Sequence, residues 1–388
     1  MTPGALRRYL AIERTPGAIP ELDGLRALAI ALVLVRHATL AFPSPVRIFP
    51  VGPWDAATPL RNGWMGVDLF FVLSGFLITH HLQRRWPERP TAATIGRYLA
   101  KRALRIVPAY YAWLLFVVCV PLPYYAFARD DLAYRLAYHA AFLQDYLPAD
   151  FVVAFWSLGV EEKFYLLAPL VVVPLLRRAG ASAPFLWLGL LAAAPLAART
   201  LVYARGGDWT YATYFWALRS PFHMSCDGLW IGAAAAFVFA RWERGSPAPR
   251  GIAWTVAGLA LLVPALVVTP LVDHISPLDA TLLGSVLAAG FGALLLGVLS
   301  LRGGRLSRLL SARPLLVLSR LSYSLYLVHM VFLQSVFVAL GSLLAWDHWP
   351  AGARFALYAP GLVLVSAAAA IVLHYGVEKP FLLLKDRL

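Results

Sequence analysis

LDGLRALAIALVLVRH occupies positions 22–37, and its reading decides the fold. The run is apolar enough to form a membrane span, yet Asp23, Arg26, Arg36 and His37 sit in or beside it. Arg26 and His37 are eleven positions apart. At about 100° per residue, that returns them to within about 20° of one helical face, about 16 Å apart along the axis. Asp23 precedes Arg26 by three and is spaced to pair with it there. Arg36 lies about 100° round the helix, in another sector. A charged side chain at the bilayer centre costs about 2.5–3.5 kcal/mol on insertion scales, so such groups face a cavity or a partner.

The rest of the chain repeats this apolar character. Of 388 residues, 60% are apolar and 14% charged, against roughly 25% charged in soluble proteins. Mean hydropathy is +0.69. The formal net charge of +14 reads as basic cytoplasmic loops rather than a nucleic-acid surface. Cys119 and Cys226 are far apart in apolar surroundings, a spacing that suits neither a disulfide framework nor a metal site, and no metal is expected. Many apolar runs follow the first, so it reads as an anchor and not a cleaved leader.

Charged, Pro-rich and Gly-rich breaks divide the chain into about ten segments long enough to span, near 25–42, 63–82, 108–127, 162–176, 183–203, 222–240, 251–272, 279–300, 317–340 and 354–376. The stretch 132–147 is apolar but short, as an interfacial or re-entrant segment would be. With the N-terminus inside, the inner loops collect Arg7, Arg8, Arg14, the cluster from Arg84 to Arg105, Arg177, Arg178, Arg241 to Arg250 and Arg302 to Arg320, a positive-inside bias. An even count of spans returns the C-terminus to the cytoplasm. The expected fold is therefore an all-α integral membrane protein, with about ten transmembrane helices around a central cavity and both termini cytoplasmic. No internal repeat is visible, and no loop is long enough for a soluble domain.

On this topology His37, Asp68 and Asp227 fall at similar depth in the outer half of the membrane, with Glu161 and Glu162 at the outer mouth of the fourth span and His329 near mid-depth in the ninth. His37 and Asp68 are placed to meet. Each group reads two ways. Asp68 and Asp227 either glue helices by pairing with an arginine such as Arg219 or serve a site. His329 either bonds across helices or faces a substrate. The imidazole of His37 suits general-base work near neutral pH, and a carboxylate partner would hold its tautomer.

RYLAKRALRIVPAYY (97–111) has a different character. Arg97, Lys101 and Arg105 recur at helical spacing with Arg102 close by, and Pro108 is expected to end or kink the helix as the third span begins. The face suits lipid phosphates or a phosphorylated cytoplasmic ligand, whose oxygens match guanidinium forks.

Taken together, these motifs resemble the membrane acyltransferase-3 family, which O-acylates cell-surface glycans and some small molecules. LDGLRALAIALVLVRH carries its R-x10-H signature, GWMGVDLFFVLSGFLIT (63–79) its second-span motif and RALR (102–105) its RxxR. FWSLGVEEKFYLLAP (155–169), CDGLWIGA (226–233), LSYSLYLVH (321–329) and VEKPF (377–381) match later blocks. One departure is Lys163, where glutamine is common. The resemblance implies an acyl-CoA co-substrate, most often acetyl-CoA, bound from the cytoplasm. Its acceptor is a glycan or small-molecule hydroxyl reached from the other side, and the location is the bacterial cytoplasmic (inner) membrane. It implies His37 as catalytic base, Arg26 as its companion, Arg102 and Arg105 as CoA-phosphate ligands and Glu161 as a functional acid. The expected organisation is one transmembrane domain over 1–388, with a core of 20–382. No fused extracytoplasmic domain is expected.

The expected site therefore comprises His37, Arg26, Asp68 and Glu161 for chemistry, Arg102, Arg105, Lys101 and Arg97 for the donor, and Asp227, Arg219 and His329 near the acceptor. Neither cysteine is placed as a nucleophile, which favours direct transfer. A secondary transporter is the rival reading, since midplane histidines and carboxylates also mark proton pathways. A non-catalytic sensor is a third. The outer loops carry Trp54, Tyr146, Trp209, Tyr211, Tyr214 and Trp216, which serve equally as sugar-stacking surfaces or as an interfacial belt.

Overall fold

The computed structural model describes residues 9–14, 17–43, 45–86, 90–127, 129–177, 182–245, 251–268 and 275–388. Arg7, Arg8, Arg89, Arg178 and Arg250 of the basic inner loops lie outside the described residues. The main helices are α1 (Glu21–Ala38), α2 (Gly66–Arg85), α3 (Ala92–Cys119), α4 (Leu132–Ala140), α5 (Trp156–Arg177), α6 (Ala183–Ala204), α7 (Asp227–Glu243), α8 (Gly251–Val268), α9 (Leu283–Ser300), α10 (Arg313–Val328), α11 (Leu333–Leu344), α12 (Ala351–Leu373) and α13 (Lys379–Lys385). A short antiparallel ribbon pairs Pro50–Val51 with Trp54–Asp55.

Every apolar segment read from the sequence falls on a helix. Among the described residues, seven helical stretches are long and apolar enough to cross a membrane: those holding α1, α2, α3, α6, α9, α10 with α11, and α12 with α13. α5 carries Glu161, Glu162 and Lys163 in succession, α7 has only 17 residues, and α8 is a shorter apolar helix. The molecule is an all-α integral membrane protein. The short segment at 132–147 contributes α4, whose 9 residues cannot span a bilayer.

Several boundaries differ from expectation: the third span's helix ends at Cys119 rather than near 127, the ninth is interrupted by a 3₁₀ turn at His329–Phe332, and two further differences bear on the site. Pro108 does not end the helix: α3 runs from Ala92 to Cys119, so the basic face and the third span belong to one helix. Neighbouring helices tolerate an internal proline in this way within a bundle. A 3₁₀ turn at Val153–Phe155 leads directly into α5. The helix thus starts at Trp156, and Glu161 lies inside it rather than at its mouth.

α2 is the central strut. Its most apolar window is 78% buried, whereas that of α6 is only 17% buried. It packs on α1, α5, α7 and α9. Two glycines of its motif permit this: a Cβ at Gly66 would overlap the Ala29 carbonyl of α1, and one at Gly75 the Leu229 carbonyl of α7. Such close backbone approach is how membrane helices gain contact without a hydrophobic driving force. Leu186, Leu190 and Leu201 on α6, and Leu364 and Val372 on α12, are exposed, as a lipid-facing surface requires. The acids of α1 stand in its first turn and Arg36 in its last, each at the dipole end that favours its charge.

Candidate functional site: two adjoining cavities

Five helices enclose one cavity. α1 contributes Arg26, α2 Phe70 and Ser74, α3 Arg102 and Arg105, α5 Ser157, Glu161 and Tyr165, and α10 Tyr323 and Tyr326. A second cavity is lined by Arg36, His37, Trp64, Trp156, Tyr211, Tyr214, Phe215 and Arg219. Their volumes, about 120 Å³ and about 220 Å³, are well above what a single water needs, so neither is a packing defect. Val67 and Tyr326 line both. The stripe formed by Arg26 and His37 along α1 thus runs from the arginine cavity into the aromatic one.

The imidazoles settle their own tautomers. His329 Nδ1 lies 3.1 Å from the Leu325 carbonyl and 2.9 Å from that of Tyr326. Carbonyls only accept, so Nδ1 carries the proton and Nε2 of the neutral ring is an acceptor. His329 Nε2 lies 3.0 Å from His37 Nδ1, which is itself 2.9 Å from the Val33 carbonyl. His37 Nδ1–H therefore donates to both. The opposite tautomers would set a lone pair against a carbonyl at each ring. Nε2 of His37 keeps its lone pair, has no protein partner among the described residues, and belongs to a side chain lining the aromatic cavity.

The expected partner of His37, Asp68, is elsewhere. Its carboxylate is held by a bidentate pair of hydrogen bonds from Arg219, at 2.8 and 2.7 Å. Arg219 sits in a π-helical turn at Phe215–Arg219, its guanidinium carbon over the Trp64 and Trp156 rings at 5.2 and 5.3 Å from their centres. Asp23 likewise bonds to Arg14 at 3.0 Å and accepts from Ser319 at 3.2 Å, not from Arg26. Arg26 makes no side-chain hydrogen bond or ion pair among the described residues. Asp227 pairs with Arg199 at 2.9 Å and accepts from Ser285 at 2.9 Å. It lines neither cavity, and nor does His329, which stands fully buried behind His37.

Glu161 accepts hydrogen bonds from Tyr165 at 2.7 Å and Ser74 at 3.1 Å. Of the four basic residues on α3, Arg102 and Arg105 line the arginine cavity, while Arg97 is exposed and Lys101 half-buried outside its lining. Arg105 pairs with Glu378 at 2.7 Å. Glu378 stands in a second π-helical turn, His374–Glu378, and also accepts from Ser324 and His374 at 2.8 Å each. Lys163 donates to Asp145 at 2.5 Å and to the Phe142 carbonyl at 2.7 Å, neutralising a fully buried acid. Of the loop aromatics, Tyr211 and Tyr214 reach the aromatic cavity. Trp54 is exposed, Trp209 stacks on Tyr203, and Tyr146 bonds to His223. Sequence reasoning passed over Ser74, Ser157, Tyr165 and Tyr326, although each is a polar residue within a quoted motif.

Fold and cavities define a multi-pass α-helical membrane protein with a charged site enclosed between its helices. A family model described as an acyltransferase domain (Acyl_transf_3) matches residues 19–374, and the chain belongs to this acyltransferase-3 family. It is 26% identical over 331 residues to the peptidoglycan O-acetyltransferase OatA of Listeria monocytogenes, covering 80% of this chain and 49% of the relative. It is 26% identical over 350 residues to the O-acetyltransferase OatA of Staphylococcus aureus, covering 84% and 52%. A putative acetyltransferase, ORF330, of Acidianus two-tailed virus is 34% identical over 153 residues, covering 39% and 40%. The chain thus spans about half the length of the two OatA relatives. No solved structure matches it.

Proposed function

We propose that this protein is an O-acyltransferase of the bacterial cytoplasmic membrane. It moves an acyl group, most simply acetyl, from cytoplasmic acyl-CoA to a hydroxyl of a glycan or small-molecule acceptor. The observation that carries the reading is the imidazole of His37, with its Nε2 lone pair unclaimed, in an aromatic cavity adjoining one lined by three arginines. Arg102 and Arg105 bind the phosphates of the donor at the cytoplasmic end, and its arm passes Arg26 toward Val67 and Tyr326. The acceptor enters the aromatic cavity from the other side, its ring against Trp64 and Trp156.

His37 Nε2 takes the hydroxyl proton as the oxygen attacks the thioester carbonyl. The C–S bond then breaks, and the imidazolium returns the proton to the departing thiolate. His329 accepts from Nδ1–H throughout, steadying the imidazolium without a carboxylate. Glu161, held by Tyr165 and Ser74, offsets the positive charge of Arg26 in the same cavity.

Purified protein supplied with acetyl-CoA should release free thiol in proportion to added hydroxyl acceptor, with the acetyl group recovered on that acceptor. Acceptor transport across vesicles without thiol release would replace this reading with the transporter.

A further inference from the structure

Among the described residues, three arginines are buried below a tenth of their surface: Arg36 at 6%, Arg199 at 4% and Arg219 at 7%. Two have a matched anion. Arg199 is bound to Asp227 and Arg219 to Asp68. Arg36 has no carboxylate partner among the described residues. One of its terminal nitrogens donates to Thr39 Oγ1 at 3.2 Å, and the Tyr211 hydroxyl lies within hydrogen-bonding reach; both are neutral groups that supply no counter-charge. The C-terminal end of α1 offsets part of the charge through the helix dipole, a fraction of one unit. A buried cation without an anion is a costly arrangement in a protein that has matched its other two buried arginines.

Arg36 also lines the aromatic cavity, one residue from His37. The second cation there, Arg219, is matched by the Asp68 carboxylate and lies over the Trp64 and Trp156 rings. No acidic side chain lines the cavity. The cavity therefore holds one guanidinium with neutral hydroxyls and no anion beside it, among aromatic walls and next to the base.

We infer that the acceptor is an anionic sugar, with a carboxylate or phosphate that pairs with Arg36 while its ring stacks on the aromatic walls and presents a hydroxyl to His37. This rests on the reading of the aromatic cavity as the acceptor site. Guanidinium suits such a group because its paired N–H donors match two oxygens at once. The ion pair also orients the ring, so the anion's place on the sugar selects which hydroxyl reaches Nε2.

The test is direct binding to the purified protein, followed by quenching of tryptophan fluorescence, with methyl β-glucuronide, glucose 6-phosphate and methyl β-glucoside as probes. The wild type is expected to bind one charged probe at least about tenfold tighter than the neutral glucoside, a charge-assisted contact. Whichever charged probe wins identifies carboxylate or phosphate. Arg36→Gln should abolish that preference while leaving glucoside binding in place. Arg36→Lys, which keeps the charge and loses the fork, should retain part of it and stands in if the glutamine variant does not purify monodisperse. Equal binding of all three probes, no binding of any, or a preference that survives Arg36→Gln would each overturn the inference. Arg36→Gln lowering transfer equally to charged and neutral acceptors would also overturn it, assigning Arg36 to the reacting carbonyl. Binding needs no turnover, so a protein that prefers the anion yet releases no thiol would sink the enzyme reading and leave the anion site standing.

Discussion

The two cavities share a wall but handle charge in opposite ways. The arginine cavity gathers three cations around one acid, and one of those cations, Arg105, is tied outward to Glu378. The aromatic cavity holds two cations and no acid, and the one that is paired lies over indole rings. The first is suited to a ligand with several negative charges that stays solvated at one end. The second is suited to a ring and one proton transfer in dry surroundings. Val67 and Tyr326, common to both, mark where a group bound on one side can meet a group bound on the other.

The largest effect expected from this contrast is on rate. His37→Gln keeps size and hydrogen bonding but cannot take up a proton near neutral pH, so transfer should fall by about 10²–10⁴. Acetyl-CoA affinity should not change, because the site proposed for the donor's phosphates is the other cavity. Turnover at saturating acetyl-CoA, beside a binding isotherm, separates the two. A folded variant with most of its turnover would remove His37 as the base and leave Glu161 as the leading candidate.

Next comes an effect on the fold rather than on chemistry. Asp68→Asn leaves Arg219 buried without its anion and should cost about 3–5 kcal/mol of stability. Replacing both members, Asp68→Leu with Arg219→Met, should restore much of the loss, because a pair replaced by apolar groups is nearly neutral where a broken pair is not. Melting of the two purified variants decides this. Asp68→Asn melting like the wild type, with turnover lost, would move Asp68 from the scaffold into the reaction.

The elements were legible because hydropathy is a local property, and each span-length apolar run holds a helix over most of its described length. The pairings were legible only as alternatives: Asp68 with Arg219 was one of two readings, and His37 with His329 was not read. Asp68 and Arg219 are 151 positions apart and His37 and His329 are 292 apart, so the partner of each depends on which helices pack together. Depth along an ideal helix set His37 and Asp68 level, and that much geometry could not tell which face of α2 looks toward α1. Spacing also overvalued Arg97 and Lys101. They share a helical row with Arg105, but a cavity selects by depth as well as by face, and Arg97 lies too far toward the end of α3. The motif block RALR separated the two cavity-lining arginines where periodicity alone did not.

That separation gives the smallest and most discriminating expectation. Arg102 lines the arginine cavity, its guanidinium lies 5.7 Å from the Tyr98 ring, and it makes no ion pair among the described residues. Arg102→Ala should therefore weaken acetyl-CoA binding by the worth of one charge-assisted contact, about 1.5–3 kcal/mol or roughly 10- to 150-fold. The loss should be smaller against dephospho-CoA if Arg102 serves the phosphate that ligand lacks. Arg97→Ala removes the same charge from the same helix, so any general attraction between a basic face and an anion drops equally in both variants. Arg105→Ala is a poorer probe, since it also strips Glu378 of its partner and mixes affinity with stability. Equal losses from Arg97→Ala and Arg102→Ala would reduce α3 to a charged surface for lipid phosphates, and the contrast between the two cavities would lose its donor half. A loss confined to Arg102→Ala would assign the donor's phosphates to the cavity itself.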